Sequence, residues 1–177
     1  MTVHTLQPSQ LSEAAFIECF KDIYEHSPWV AKRAYLKGPV DQFDQLDALH
    51  HAMSQVLLEA TADEQLALIN AHPDLAGKAA IQGELTESST KEQAGAGISD
   101  CSPEEFERFN ALNSAYKARF GFPFIKAVKG SNRYEILDAF ETRIHHSHDD
   151  EFQTALNEIN KIARFRLEAM MQPETTA

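Results

Sequence analysis

An all-α, single-domain, multi-helix bundle with two loop-rich segments is the fold this sequence predicts, and three observations predict it. Apolar residues recur at three- and four-residue steps over several long segments, as one face of a helix requires. Alternating apolar and polar runs, the mark of half-buried strands, are nearly absent. The seven glycines gather mostly between Gly77 and Gly130, which concentrates the irregular backbone in the middle of the chain. A length of 177 residues suits one domain able to bury its own core without disulfides or metal.

In chain order, Ser9 or Ser12 caps a first helix running through Phe20, because a short hydroxyl accepts an orphan amide at a helix start. Phe43, Leu46, His50, Met53 and Leu57 mark one face of a second helix. Thr61 with Glu64 resembles a capping box opening a short helix that ends near His72. Ser102-Pro103-Glu104-Glu105 supplies a cap, a first-turn proline and acids at the positive end of the dipole. The helix behind it carries Phe106, Phe109, Asn113, Tyr116 and Phe120 on one side, with Asn113 placed to satisfy buried backbone groups. A further helix is expected over 133–145 and the longest over 149–171, with 171–177 a frayed tail. The loop-rich segments 72–97 and 121–130 stand apart from this scaffold, and loops on a rigid scaffold often carry function.

Composition narrows the partners. A formal charge of −11 disfavours nucleic acid, and Lys117, Arg119, Lys126 and Lys129 are too interrupted by aromatics and glycine to form a basic patch. No stretch approaches the roughly 18 apolar residues of a membrane helix. Met1 to Gln10 has neither a basic nor an apolar region of a signal peptide, and the tail is no Ser-Lys-Leu address. Cys19 and Cys101 lie far apart without a CxxC pattern. The expectation is a cytoplasmic protein with reduced thiols.

Three constellations are chemically suggestive. In His72-Pro73-Asp74-Leu75-Ala76-Gly77-Lys78, proline pushes the preceding residue out of the α region, so the helix ends and the imidazole leaves its surface. An imidazole near neutral pKa suits proton transfer, although a helix C-terminal histidine also favours the dipole. In Ser89-Thr90-Lys91-Glu92-Gln93, Glu92 stands in the apparent first turn of a short helix capped by Ser88 or Ser89. It either closes a capping box or hydrogen-bonds His72 and fixes its tautomer. Gly95 and Gly97 then allow close backbone approach to a small ligand.

Arg166 is the third. Phe152, Leu156, Ile159, Ala163, Leu167 and Met170 form one stripe of the last helix, and Arg166 falls inside it while Lys161 and Arg164 point elsewhere. A guanidinium aimed inward needs an acid or a cavity, and its fork suits a carboxylate or ureido carbonyl. Gly121-Phe122-Pro123-Phe124-Ile125-Lys126-Ala127-Val128 reads either as buried core or as a pocket wall presenting backbone groups. The cluster His145, His146, His148, Asp149 and Asp150 has no standard zinc spacing and reads as a solvated helix junction; His50-His51 is weaker still.

Together these runs resemble the 2-oxo-4-hydroxy-4-carboxy-5-ureidoimidazoline (OHCU) decarboxylase family of urate degradation. The matching blocks are the His72–Lys78 run and Ser89-x-x-Glu92-Gln93-Ala94-Gly95-Ala96-Gly97. Phe109-x-x-Leu112-Asn113-x-x-Tyr116 leads into Arg119-Phe120-Gly121-Phe122-Pro123-Phe124-Ile125, and Lys161-Ile162-Ala163 with Arg166-Leu167 completes the set. Ile98, where leucine is expected, is a small departure. The resemblance implies an all-helical fold, a homodimer, no metal or organic cofactor, and a small-molecule substrate, OHCU, converted to (S)-allantoin and CO₂. It implies His72 as the catalytic histidine and Glu92 as its carboxylate partner. It implies Pro73, Ser89, Glu92 and Gln93 at the pocket, Phe124, Ile125, Lys126, Ala127 and Val128 as its wall, and Arg166 as the substrate-binding arginine. Two other classes compete: a noncatalytic helical binding module, and a metal-dependent hydrolase built on His72 and the 145–150 cluster.

Overall fold

The computed structural model describes residues 6–76 and 85–171. Gly77 and Lys78, which close the His72 motif, and the expected frayed tail past Met171 lie outside the described residues. Among the described residues are eight α-helices, three short 3-10 turns and no strand, so the helical class read from periodicity is the class observed. The chain divides into two compact units, Met1–Leu68 with Asn160–Ala177, and Ile69–Ile159.

The first unit contains α1 (Glu13–Phe20), α2 (Trp29–Lys37), α3 (Leu46–Glu59) and most of α4 (Ala62–Asn70). Of the two candidate caps, Ser12 is the one used, accepting from the Ala15 amide at 3.2 Å. Ser9 instead bonds the Asp44 carboxylate through both its amide and its hydroxyl. The helix α2 lacks any side-chain cap, so nothing in its opening residues announces it. Thr61 and Glu64 form the expected reciprocal pair at the start of α4, worth about 1 kcal/mol for such a cap. Phe43 precedes α3 rather than joining it, yet is buried against Phe16 with ring centroids 5.9 Å apart. Phe16, Phe20, Tyr24, Leu49 and Met53 complete this core, each burial of that kind contributing about 1.5–3 kcal/mol.

The second unit contains α5 (Glu87–Gly95), α6 (Pro103–Phe120), α7 (Arg133–Arg143) and the start of α8 (His148–Met171). Ser102 and Glu105 close a complete capping box on α6. Gly121 ends that helix at φ 78°, a left-handed conformation that glycine enters without a Cβ penalty. Phe109, Asn113, Tyr116 and Phe120 are buried along α6 as its spacing predicts, with Phe106 half-buried. Phe122, Phe124 and Phe140 pack onto this face, Phe124 stacking on Phe140 at 3.7 Å. On α8 the apolar stripe holds except at its end. Met170 is exposed and Met171, four residues after Leu167, takes the buried place.

Candidate active site

The His72 turn is built as its sequence dictates. The helix α4 stops at Asn70, the His72 amide donates to the Ile69 carbonyl, and Pro73 prevents continuation. His72, Pro73 and Asp74 are half-buried, whereas Leu75 and Ala76 are buried. Ala76 sits at φ 54°, a left-handed conformation costing an L-residue about 1–2 kcal/mol. Neighbouring side chains hold it there. The Ala76 amide donates to Gln93 Oε1 at 3.1 Å, and Gln93 Nε2 donates to the Asp74 carbonyl at 3.4 Å. Asn113 Nδ2 donates to the Leu75 carbonyl at 2.9 Å, and Lys117 Nζ pairs with Asp74 Oδ2 at 2.6 Å. Three side chains thus fix three consecutive residues, Asp74, Leu75 and Ala76.

The helix α5 begins earlier than expected. Its N-cap is Thr86, not Ser88 or Ser89, with the Ser89 amide donating to Thr86 Oγ1 at 3.2 Å. Glu92 therefore lies in the second turn, and the Ser89 capping-box alternative no longer applies. Ser89, Glu92 and Gln93 are spaced by three and four residues, so they share one face of α5. Ser89 and Gln93 are buried, Glu92 is half-buried, and Gln93 on that face grips the His72 turn. Gly97 ends this region at φ 77°, where an added Cβ would come within 3.3 Å of Arg133 Nη1. Its role is thus the turn itself. Nothing lies within 4 Å of a Cβ placed at Gly95.

The Gly121–Gly130 segment is buried at Phe124, Ile125, Ala127 and Val128, with Lys126 half-buried. Its backbone is tied down: the Ile125 carbonyl accepts from Arg143 Nη1 at 2.6 Å, and the Ala127 amide donates to Glu158 Oε2 at 3.1 Å. The Tyr116 ring meets Phe124 edge-on at 5.4 Å. Asn113 and Tyr116 lie three residues apart on the same face of α6. One holds the turn after His72 and the other holds the wall, so this helix joins the two sequence-predicted loop segments.

Behind the wall lies a buried polar cluster that the sequence reading missed. Glu151 is 0% exposed; its Oε1 accepts from the Tyr116 hydroxyl at 2.6 Å and from Arg143 Nε at 2.9 Å. His146 Nδ1 lies 3.0 Å from Glu151 Oε2. Burial, and then the Glu151 carboxylate, push the Tyr116 hydroxyl well above its ordinary pKa, so it is a constant donor. Glu151 stands about 100° around the helix from Phe152, outside the stripe that singled out Arg166, so no apolar pattern marked it in the sequence. Among the described residues, no group of three or more His, Cys, Asp or Glu is arranged to hold a metal ion.

Arg166 belongs to the first unit and is buried, as its place inside the stripe predicts. Its Nη2 pairs with Glu25 Oε1 at 2.9 Å, and Nη1 donates to the Asp22 and Ile23 carbonyls at 3.2 and 3.4 Å. Glu25 is itself only 2% exposed. It sits in an irregular connection, where no periodicity marks it in the sequence. Arg164 points away, pairing with Asp47 and Glu168.

An all-helical chain with a clamped histidine turn, a carboxylate-bearing helix face and a buried backbone wall has the parts of a small-molecule enzyme site. The chain belongs to the OHCU decarboxylase family, whose model matches residues 9–168. It is 43% identical over 173 residues to a 2-oxo-4-hydroxy-4-carboxy-5-ureidoimidazoline decarboxylase of Halalkalicoccus jeotgali, covering 98% of this chain and 93% of that protein. It is likewise 43% identical to the Haloferax volcanii protein of that name, covering 91% of this chain and 92% of the relative. Among solved structures, the crystal structure of an (S)-allantoin synthase superposes with a TM-score of 0.74 at 30% identity, over 92% of this chain and 52% of the other.

Proposed function

We propose that this chain decarboxylates OHCU to (S)-allantoin and CO₂ in urate catabolism, the carboxy-lyase activity of its family's name. The observation that carries the reading is the joining of the two candidate segments by Asn113 and Tyr116 on one face of α6. It supports a pocket with His72 and Glu92 on one side and the Phe124–Val128 backbone on the other.

In this mechanism the substrate supplies its own electron sink, a ring C=N beside the carbon bearing hydroxyl and carboxylate. The bond to the carboxylate breaks, CO₂ departs, and the electron pair forms the C=C of an enol while the C=N pair moves onto the ring nitrogen, which takes up a proton. Proton delivery to the ureido-bearing carbon on one ring face, with loss of the hydroxyl proton, gives the carbonyl and the single S centre. His72, oriented by Glu92, manages proton transfer at this centre; Pro73, Ser89 and Gln93 shape the pocket. Phe124, Ile125, Lys126, Ala127 and Val128 present backbone groups to the flat ring. Arg166 binds a substrate carboxylate or ureido oxygen, with Glu25 fixing the plane of its fork. A homodimer in the cytoplasm belongs to the same reading, and the two unpaired cysteines, Cys19 and Cys101, fit a reducing compartment.

The test uses OHCU generated fresh from urate by urate oxidase and hydroxyisourate hydrolase, with allantoin followed by circular dichroism and spontaneous decay subtracted. The wild-type chain is expected to accelerate formation of the S enantiomer, with and without EDTA. His72→Ala is expected to lose about 10²–10⁴-fold in rate while keeping its helical spectrum and melting temperature. Near-normal stereospecific turnover by that variant refutes the role of His72. Loss of wild-type activity in EDTA favours the hydrolase class.

A further inference from the structure

Resting on the decarboxylase reading above, we infer that Arg143 is a positioning residue for the reaction: aimed by buried Glu151, it sets the backbone of the Phe124–Val128 wall. Arg143 is 8% exposed. It grips the wall twice, through the 2.6 Å bond from Nη1 to the Ile125 carbonyl and by lying over the Phe124 ring with Cζ 4.2 Å from its centroid. Nε meanwhile pairs with Glu151, which the Tyr116 hydroxyl and His146 hold in place. A planar fork satisfies these three directions at once, which a lysine ammonium on a flexible stem does not.

The energetics argue that geometry, rather than stability, is what this pair supplies. Removing two charges from water costs several kcal/mol per ion, and apolar replacements of buried pairs are often neutral or stabilising. The cost is not fully offset here, because Arg143 Nη2 is buried and finds no acceptor among the described residues. What the pair does provide is a fixed direction for the Ile125 peptide. That peptide lies in the segment whose backbone faces the substrate in the proposed site. A wall read through its main chain has no side-chain rotamers to adjust, so a tilted peptide plane directly misplaces its hydrogen-bonding groups. The ring then binds in more than one pose, and protonation loses its preference for one face.

The experiment measures kcat, KM and the enantiomeric excess of allantoin for wild type, Arg143→Lys and the double variant Arg143→Met/Glu151→Gln, alongside thermal melts. The double variant removes the charge pair but leaves an acceptor for the Tyr116 hydroxyl, so it folds even if Arg143→Lys does not. The expected result is a fall of tenfold or more in kcat/KM, with raised KM and a mixture of enantiomers at saturating enzyme, in a protein that melts near the wild type. A purely structural role moves the melting temperature and leaves KM and enantiomeric excess untouched. A folded variant of either kind with wild-type kcat/KM and a single enantiomer overturns the inference alone. A wild-type chain that fails to outpace spontaneous decay overturns the decarboxylase reading and this inference with it.

Discussion

Each unit of this protein buries one arginine against one glutamate, and the two pairs differ instructively. In the first unit, Arg166 meets Glu25 and two successive carbonyls of an irregular connection, Asp22 and Ile23. In the second, Arg143 meets Glu151 and a single carbonyl, Ile125, covers an aromatic face, and retains a buried nitrogen without an acceptor among the described residues. Glu151 is shared with a tyrosine hydroxyl and a histidine, so its charge remains hydrogen-bonded when the arginine is removed. Both arginines fix backbone, but the backbone fixed by Arg143 belongs to a candidate site segment.

The largest effect on stability should come from Arg166→Met. The substitution takes a charged donor from the buried Glu25 carboxylate and from two carbonyls at once, at a cost of about 3–5 kcal/mol measured by urea denaturation. Arg143→Met should cost less, about 1–3 kcal/mol, because Tyr116 and His146 still donate to Glu151. Equal losses would break the contrast drawn between the two pairs.

Gln93→Leu comes next. It leaves the Ala76 amide and the Asp74 carbonyl without their side-chain partner, and a left-handed Ala76 without its restraint. A loss of about 2–3 kcal/mol is expected, together with a fall in decarboxylation, which denaturation and the allantoin assay measure separately. A stable variant with full activity would show that the turn needs no clamp from α5.

Asn113→Asp gives a pH-dependent effect. An ionised carboxylate facing the Leu75 carbonyl repels it, whereas a protonated one donates to it as the amide does. Burial raises the folded-state pKa of such a carboxyl above its unfolded value. The variant therefore approaches wild-type stability at low pH and falls behind by about 1–3 kcal/mol as pH rises through the folded pKa. A constant deficit across the urea series would exclude an Asn113 amide donor.

Smallest is Glu64→Gln on the first unit, where glutamine preserves the cap but not the charge. Arg33, then the Thr61 amide, hold the Glu64 carboxyl down from 4.5 to about 2. A depressed acid contributes stability above its unfolded pKa and loses it as pH falls. The gap between wild type and variant should be slight near neutrality because the pair is exposed, and should close between about pH 4.5 and 2.

The helical class and most helix starts were legible because caps and three-to-four periodicity act over short sequence distances. Ser12, Thr61 and Ser102 each behaved as their side chains require, and Arg166 was found because α8 is long enough for an inward charge to stand out. Glu25 was not legible, lying in a connection without period. Arg143 was missed because α7 has only eleven residues, too few turns to define a stripe against which a charge looks misplaced. At α5 the sequence pointed to Ser88 or Ser89 as the cap, whereas Thr86 takes that place, because neighbouring hydroxyls crowd one helix start and local pattern does not separate them. The division into two units left no linker to read, since its boundaries fall inside α4 and α8.

The placement of Asn113 and Tyr116 makes α6 a gauge block. Three residues advance a helix by about 4.5 Å, and that step separates the hold on the His72 turn from the hold on the wall. Inserting a single residue between them would swing Tyr116 by about 100° and pull the gauge out of phase, although every side chain remained present. Tolerance to length change in this short stretch should therefore be far lower than its plain helical composition suggests.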